Sequence, residues 1–204
     1  NYQASYRPLV EYARRHDLPV VAANAPADVV RCVGRQGPGY LNTLPQHQRD
    51  ALPEHPFPDM AGYRGRFMAT MTDSDHGEPS AEGKRRLENT FQAQLLRDST
   101  MADQILDALQ AHPNHQVLMI TGTFHSENRQ GLVAILEQRA PELEVRVLTP
   151  TMPALGEQSE ADPDIVAGDY RYELWPMPVQ YRDEDREAAA MMERFSKARS
   201  LNCD

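Results

Sequence analysis

The 204-residue chain has little cysteine: Cys32 and Cys203 only, with no Cys-x-x-Cys pair and no Cys/His spacing of the zinc kind. That argues against a structural zinc site and leaves open both a single long-range disulfide and two thiols. It has no block of Lys and Arg. Its 21 basic residues are outnumbered by 30 acidic ones, for a formal net charge of −9, so the electrostatic footprint of a nucleic-acid or polybasic membrane binder is missing. No apolar run approaches the length of a membrane-spanning helix, and no signal peptide is visible. A Gly-rich phosphate loop, a Gly-x-Ser-x-Gly elbow and His-Glu-x-x-His are all absent, which removes the commonest motif-based enzyme readings. No internal repeat is visible.

What is present suffices for a packed core, since 40% of the residues are hydrophobic, and the length allows one substantial domain. Ser5 as a cap, Pro8 in the first turn and apolar residues at three and four spacing predict a short amphipathic helix to about His16. In "LPVVAANAP", Val20 to Ala23 is a short apolar run closed by Asn24 and Pro26, a buried strand ending in a turn. Residues 34–83 accumulate Pro, Gly, His and Met. "DMAGYRGRFMATM" is suited to a short helix; the rest reads as a long insertion, equally a mobile surface loop or a binding lid.

Glu82 to about Gln110 is the clearest element. Leu87, Phe91, Leu95, Ala102, Ile105 and Leu109 form one helical stripe. Gln94 and Asp98 interrupt it, and at about 100° per residue Asp98 falls near the centre of the apolar face. A carboxylate there needs a partner, either as a buried structural hydrogen bond or as a polar group aimed into a cleft. Arg97 lies one residue off the stripe. Val117 to Thr121 predicts a second buried strand, Gln130 to Ala140 a helix and Glu144 to Thr149 a third, alternating strand. "YRYELWP" predicts an edge strand. Asp183 to Arg199 predicts a terminal helix with Ala188, Met191, Met192 and Phe195 on one side. The expected fold class is α/β: a single domain with a largely parallel or mixed sheet flanked by helices, and a long irregular or helical insertion over about 34–83.

In an open α/β sheet, ligands bind beyond the carboxyl ends of the strands. Two such ends are Asn24-Ala25-Pro26 and Gly122-Thr123-Phe124-His125. Gly122 lets the backbone turn sharply, and His125, followed by Glu127, then projects at the sheet edge. A His there serves as metal ligand, general base or hydrogen-bond donor to an anion, although Gly-x-x-His alone is a common pattern. In the insertion, Tyr63 and His76 stand out. A phenolate is a hard donor suited to ferric haem, and a nearby His can hold it; the plain alternative is a Tyr that is simply packed.

Three segments, "YRPLVEYARRHDLPVVAANAPADVVRCVGRQG", "NTFQAQLLRDSTMADQI" and "MITGTFHSENRQGL", together resemble the ChaN-type family of haem-binding, iron-regulated lipoproteins. The middle one is the most specific, with Ala93-Gln94, Arg97-Asp98 and Met101-Ala102 at those spacings. The resemblance covers roughly Tyr6 to Leu136. More distantly it extends to a superfamily that includes Tiki proteases, TraB-type proteins and erythromycin esterases. That superfamily typically has two Gly-x-x-His motifs with an acidic residue between them. Only the second is here, so this chain is expected to be the C-terminal two thirds of the fold, beginning after the first motif.

The resemblance implies a haem-binding protein of iron or haem uptake, in the periplasm or at the outer membrane, with a lipid anchor on a Cys ahead of Asn1. It implies a homodimer with haem near the subunit interface, held by Tyr ligation with His assistance. Tyr63 is then the candidate iron ligand and His76 its helper, with His125 also at the cofactor. Arg97 suits a haem propionate, and Asn24, Gln94, Asp98 and Glu127 line the site. The expectation leans to a binding protein over an enzyme. The alternatives are a hydrolase that uses His125 with a divalent metal ion, and a non-catalytic interaction domain.

Overall fold

The computed structural model describes residues 2–72, 79–151, 168–175, 181–199 and 203. Its spine is one long helix, α5 (Ala81–Ala111), about 46 Å from end to end. The Ser80 hydroxyl starts it by accepting the Gly83 N–H at 3.1 Å, which satisfies one of the donors a helix start leaves unpaired. Of the apolar stripe read from the sequence, Phe91, Leu95, Ala102 and Ile105 are buried and Leu87 and Leu109 half-buried, with Leu96 and Met101 buried beside it.

Three helices cover that face in turn. From α2 (Ala27–Gln36), Val29, Val30 and Val33 pack on Ala93 and Leu96. From α4 (Ala61–Thr72), Tyr63 and Phe67 pack on Phe91 and Leu95. From α6 (Leu132–Arg139), Leu132, Ile135 and Leu136 pack on Met101, Ala102 and Ile105. A short α1 (Arg7–Arg15) forms where Pro8 and the spacing predict it, but none of its residues is buried. The insertion is largely helical and packed: a 3-10 turn over Pro38–Thr43, a short α3 (Gln46–Arg49) and α4 connect α2 to α5. Tyr40, Leu41, Leu52 and Phe57 join the α2–α5 core, and this apolar content keeps residues 38–72 from being a loose loop. Residues 73–78, which include His76, lie outside the described residues.

The sheet is much smaller than expected. It consists of β1 (Leu148–Thr151) and β2 (Tyr170–Glu173), parallel, in register from Leu148 opposite Tyr170 to Thr151 opposite Glu173. The alternation expected over 144–149 is real, with Leu143, Val145 and Val147 turned inward and Glu144 and Arg146 outward, but the ladder begins only at Leu148. The strands expected at Val20–Ala23 and Val117–Thr121 belong to no ladder. A strand exists only where a neighbour supplies the opposite row of N–H and C=O groups, and none lies beside these two segments among the described residues. Ala23 and Met119 still turn onto the α5–α6 core, whereas Val20, Val21, Val117, Leu118 (83% exposed) and Ile120 face outward. The chain is therefore mostly helical, with a minor parallel sheet.

At the other end, α7 (Glu184–Arg199) starts where Asp183 accepts the Arg186 N–H at 3.0 Å, and Met191 and Met192 are exposed. The choice left open for the cysteines is settled: Cys32, buried in α2, is bonded to Cys203, 171 positions away.

Candidate functional site

Residues four apart on a helix share a face, so α5 presents Gln94 and Asp98 together toward α4 and toward the turn after Gly122. That turn folds back tightly. The His125 N–H donates to the Gly122 carbonyl at 3.0 Å, and Asn128, Arg129 and Gly131 all take positive φ. The result lays the His125 ring over α5. His125 Nδ1 lies 2.5 Å from Asp98 Oδ1. The Tyr63 hydroxyl donates to Asp98 Oδ2 at 2.8 Å. Gln94 Nε2 donates to the Tyr63 oxygen at 2.9 Å and lies 3.0 Å from His125 Nδ1.

Asp98 is 0% exposed, and burial pushes its carboxyl above the ordinary range while His125, Tyr63 and Arg97 pull it back down. When Asp98 is ionised it accepts at both oxygens, and Nδ1 of His125 then carries the proton while Nε2 carries a lone pair. The His125 side chain is 15% exposed, and Nε2 has no hydrogen-bond partner among the described residues. The site thus presents one imidazole nitrogen outward, held in a single tautomer by a buried acid.

Tyr63, the expected iron ligand, is drawn into the core in this arrangement. It is 1% exposed, packed edge-on against Phe91, and its hydroxyl is used by Asp98 and Gln94. Burial, with the neighbouring Asp98 charge, raises its phenol far above its ordinary value, the opposite of what a phenolate ligand needs. A loop tyrosine in a Pro-rich insertion gave no hint of this, because the helix that buries it is short and its partner is 35 positions away.

Two further residues were not singled out in the sequence. Arg66, one turn after Tyr63, stacks on Phe124 with its guanidinium carbon 4.1 Å from the ring centroid. It donates to Gln130 Oε1 at 2.8 Å, Glu127 Oε2 at 3.1 Å and the Phe124 carbonyl at 2.8 Å. It therefore clamps α4 to the segment that carries His125, and Glu127 serves that clamp. Gly131 has φ +55°, and a Cβ there would meet the His125 carbonyl at 2.9 Å, the Tyr63 hydroxyl at 3.0 Å and Asp98 Oδ2 at 3.1 Å. The spacing of Tyr63, Arg66 and Phe67 on one helical face was the available signal for Arg66; Gly131 offered only its place before a helix.

The remaining expected residues form an adjoining group. Arg97, next to Asp98, donates from Nη1 to Asn24 Oδ1 at 3.4 Å. The two groups meet on α5, and not at the end of a sheet, since the preceding segments form none. Among the described residues no three His, Cys, Asp or Glu side chains gather to hold a metal ion.

The chain belongs to the family described as haem-binding uptake, Tiki superfamily, ChaN, whose model matches residues 1–136, two thirds of its length. No curated protein and no solved structure matches it.

Proposed function

We propose that this chain binds haem on the face beside His125 and acts in haem or iron uptake in the periplasm or at the outer membrane. The observation that carries this reading is the 2.5 Å contact between His125 Nδ1 and Asp98 Oδ1, which leaves Nε2 as an oriented donor. His125 would hold the iron, and Asp98 would strengthen it as a donor, as a carboxylate behind a ligating histidine does. Val117, Leu118 and Ile120 supply apolar surface next to that nitrogen in the chain, and Arg97 takes a propionate. Bound haem supplies an iron centre whose affinity and potential these groups tune.

The disulfide between Cys32 and Cys203 supports an oxidising compartment. The exposed Val117, Leu118 and Ile120, which precede His125 in the chain, support a homodimer in which a second protomer and the haem cover them; a lipid anchor ahead of Asn1 completes the reading. A hydrolase would use the same His–Asp pair as a general base, with metal ligands from outside the described residues.

Titration of the protein with haemin, followed by absorption, tests the proposal. A saturable Soret shift at micromolar haemin is expected, with an altered band position in His125→Ala. The absence of any Soret shift in the unaltered protein would overturn it. Metal analysis of purified protein separates the hydrolase: stoichiometric divalent metal lost in His125→Ala would favour that reading over haem.

A further inference from the structure

The first helix, α1 (Arg7–Arg15), contributes nothing to the core, since none of its residues is buried. Its two sides nonetheless differ sharply. At about 100° per residue, Tyr12, Leu9, Ala13, Tyr6 and Val10 follow one another around one side, the last turn leading in from Tyr6. Arg14, Arg7, Glu11 and Arg15 occupy the other side. Tyr6, Leu9 and Tyr12 are exposed, as is Tyr2 in the π-helical turn that precedes them (Tyr2–Tyr6). Leu18, Val20 and Val21, which follow in the chain, are exposed too. The polar side is ordered: Arg7 donates to Gln3 Oε1 at 2.8 Å, and Arg14 pairs with Glu11 at 3.0 Å.

A helix with a continuous apolar side normally buries it against its own domain. Here that side faces outward, and charge selects what covers it. α1 carries three arginines and one glutamate, in a chain whose formal net charge is −9. These basic residues act by their place and not by their number. Arg14 adjoins Val10 at one margin of the apolar side, and Arg15 lies toward Tyr12 at the other. A second copy docked face to face here would set its arginines against those of the first. Anionic headgroups instead neutralise both margins, because arginine lays its stem along apolar surface and keeps its charged end in the polar layer. Tyrosine, with an apolar ring and a polar tip, suits the same depth.

We propose that α1 is an interfacial helix that lies flat on an anionic lipid surface, with Tyr6, Leu9 and Tyr12 among the headgroups and Arg7, Arg14 and Arg15 on their phosphates. The proposal does not rest on haem binding, since α1 supplies no residue to the network of His125, Asp98, Tyr63 and Gln94. It gives the chain a membrane contact of its own, in addition to any acyl chain, which by itself holds a protein only weakly and reversibly.

Flotation of the full chain with lipid vesicles tests this. The chain is expected to float with vesicles of phosphatidylglycerol and phosphatidylcholine in equal parts and not with pure phosphatidylcholine, and raised salt should weaken the binding. Arg14→Glu combined with Arg15→Glu should weaken it at least about tenfold. Leu9→Ser combined with Tyr12→Ser should also weaken it at low salt, which separates insertion from charge attraction alone. Both double variants change exposed side chains, so their thermal melts should match the parent. Failure of the parent to float with the anionic vesicles overturns the proposal, as does unchanged binding in either double variant. A parent that binds no vesicles, is dimeric by light scattering and becomes monomeric in the Leu9→Ser, Tyr12→Ser variant also overturns it and gives the face to a second copy. Haemin titration reads the haem proposal separately, so either reading can fail while the other stands.

Discussion

His125 Nδ1 lies 2.5 Å from Asp98 Oδ1, and the Tyr63 hydroxyl closes the second oxygen of the same carboxylate at 2.8 Å. A fully buried acid therefore decides which nitrogen of a partly exposed imidazole faces outward, and the chemistry of the face depends on that choice.

Asp98→Asn keeps the shape and reverses the choice. An amide NH2 facing Nδ1 makes that nitrogen the acceptor, so the proton moves to Nε2 and the outward lone pair is lost. Haemin should still associate with the apolar face, but with a Soret band like that of His125→Ala. A spectrum identical to that of the parent would show that Nε2 is not the ligand.

The raised carboxyl of Asp98 gives a pH dependence with a definite sign. In the folded chain it binds its proton more tightly than the ordinary aspartate value of 3.8. Between that value and the raised one, the folded chain holds a proton that the unfolded chain has released. The Asp98 contribution to stability therefore falls as pH rises through that window. Asp98→Asn removes this titration, so its urea midpoint relative to the parent should rise between pH 4 and pH 7. A relative midpoint that falls over that range contradicts the assignment.

Tyr63→Phe removes a hydroxyl from a site with no access to a ligand. Asp98 Oδ2 then loses its donor, and a cost of about 1–3 kcal/mol in unfolding free energy is expected. The spectrum of bound ferric haem should not change. Loss of a charge-transfer band in the variant would restore the tyrosine as ligand.

Two glycines should respond in opposite directions to alanine. At Gly131 a Cβ meets three atoms of the site at 2.9–3.1 Å and φ is +55°. Gly131→Ala should cost about 2–4 kcal/mol, in the range of strain and overpacking combined. Gly65 lies inside α4 with nothing within 4 Å of the built Cβ, so Gly65→Ala should stabilise by up to about 1 kcal/mol. Thermal melts of the pair check both, and destabilisation by each would point to a different packing around α4.

Reduction of the Cys32–Cys203 bond releases a loop of 171 residues. In the chain-entropy account that is worth about 5 kcal/mol, so a thiol reductant should lower the melting temperature of the parent. The Cys32→Ala, Cys203→Ala double variant should melt at that lower value with or without reductant. Insensitivity of the parent to reductant would mean that the bond does not form in solution.

The long helix was legible because its signal is local and repeated. The stripe from Leu87 to Leu109 carries its own period, and the structure buries that side. The same period placed Asp98 on the apolar side and required a partner for it, without naming one. The partner is a tertiary fact. Tyr63 and Arg66 are recruited from an insertion whose sequence looked irregular, because packing on Phe91 and Phe124 makes α4 part of the core. The disulfide, too, depends on two distant segments meeting.

The strands failed for a related reason. Apolar runs such as Val117 to Thr121 show that a segment prefers burial, but pairing depends on a neighbouring backbone that no local pattern reports. By itself the sequence determined the α5 spine, the need to satisfy Asp98, and the position of His125 after an apolar run, all consequences of residue order along a few turns. The tertiary structure alone decided that Tyr63 supports the acid, that Nε2 faces outward and that Arg97 reaches Asn24. Those outcomes rest on distances between segments far apart in the chain, fixed only when α2, α4 and the turn after Gly122 close on the same helix.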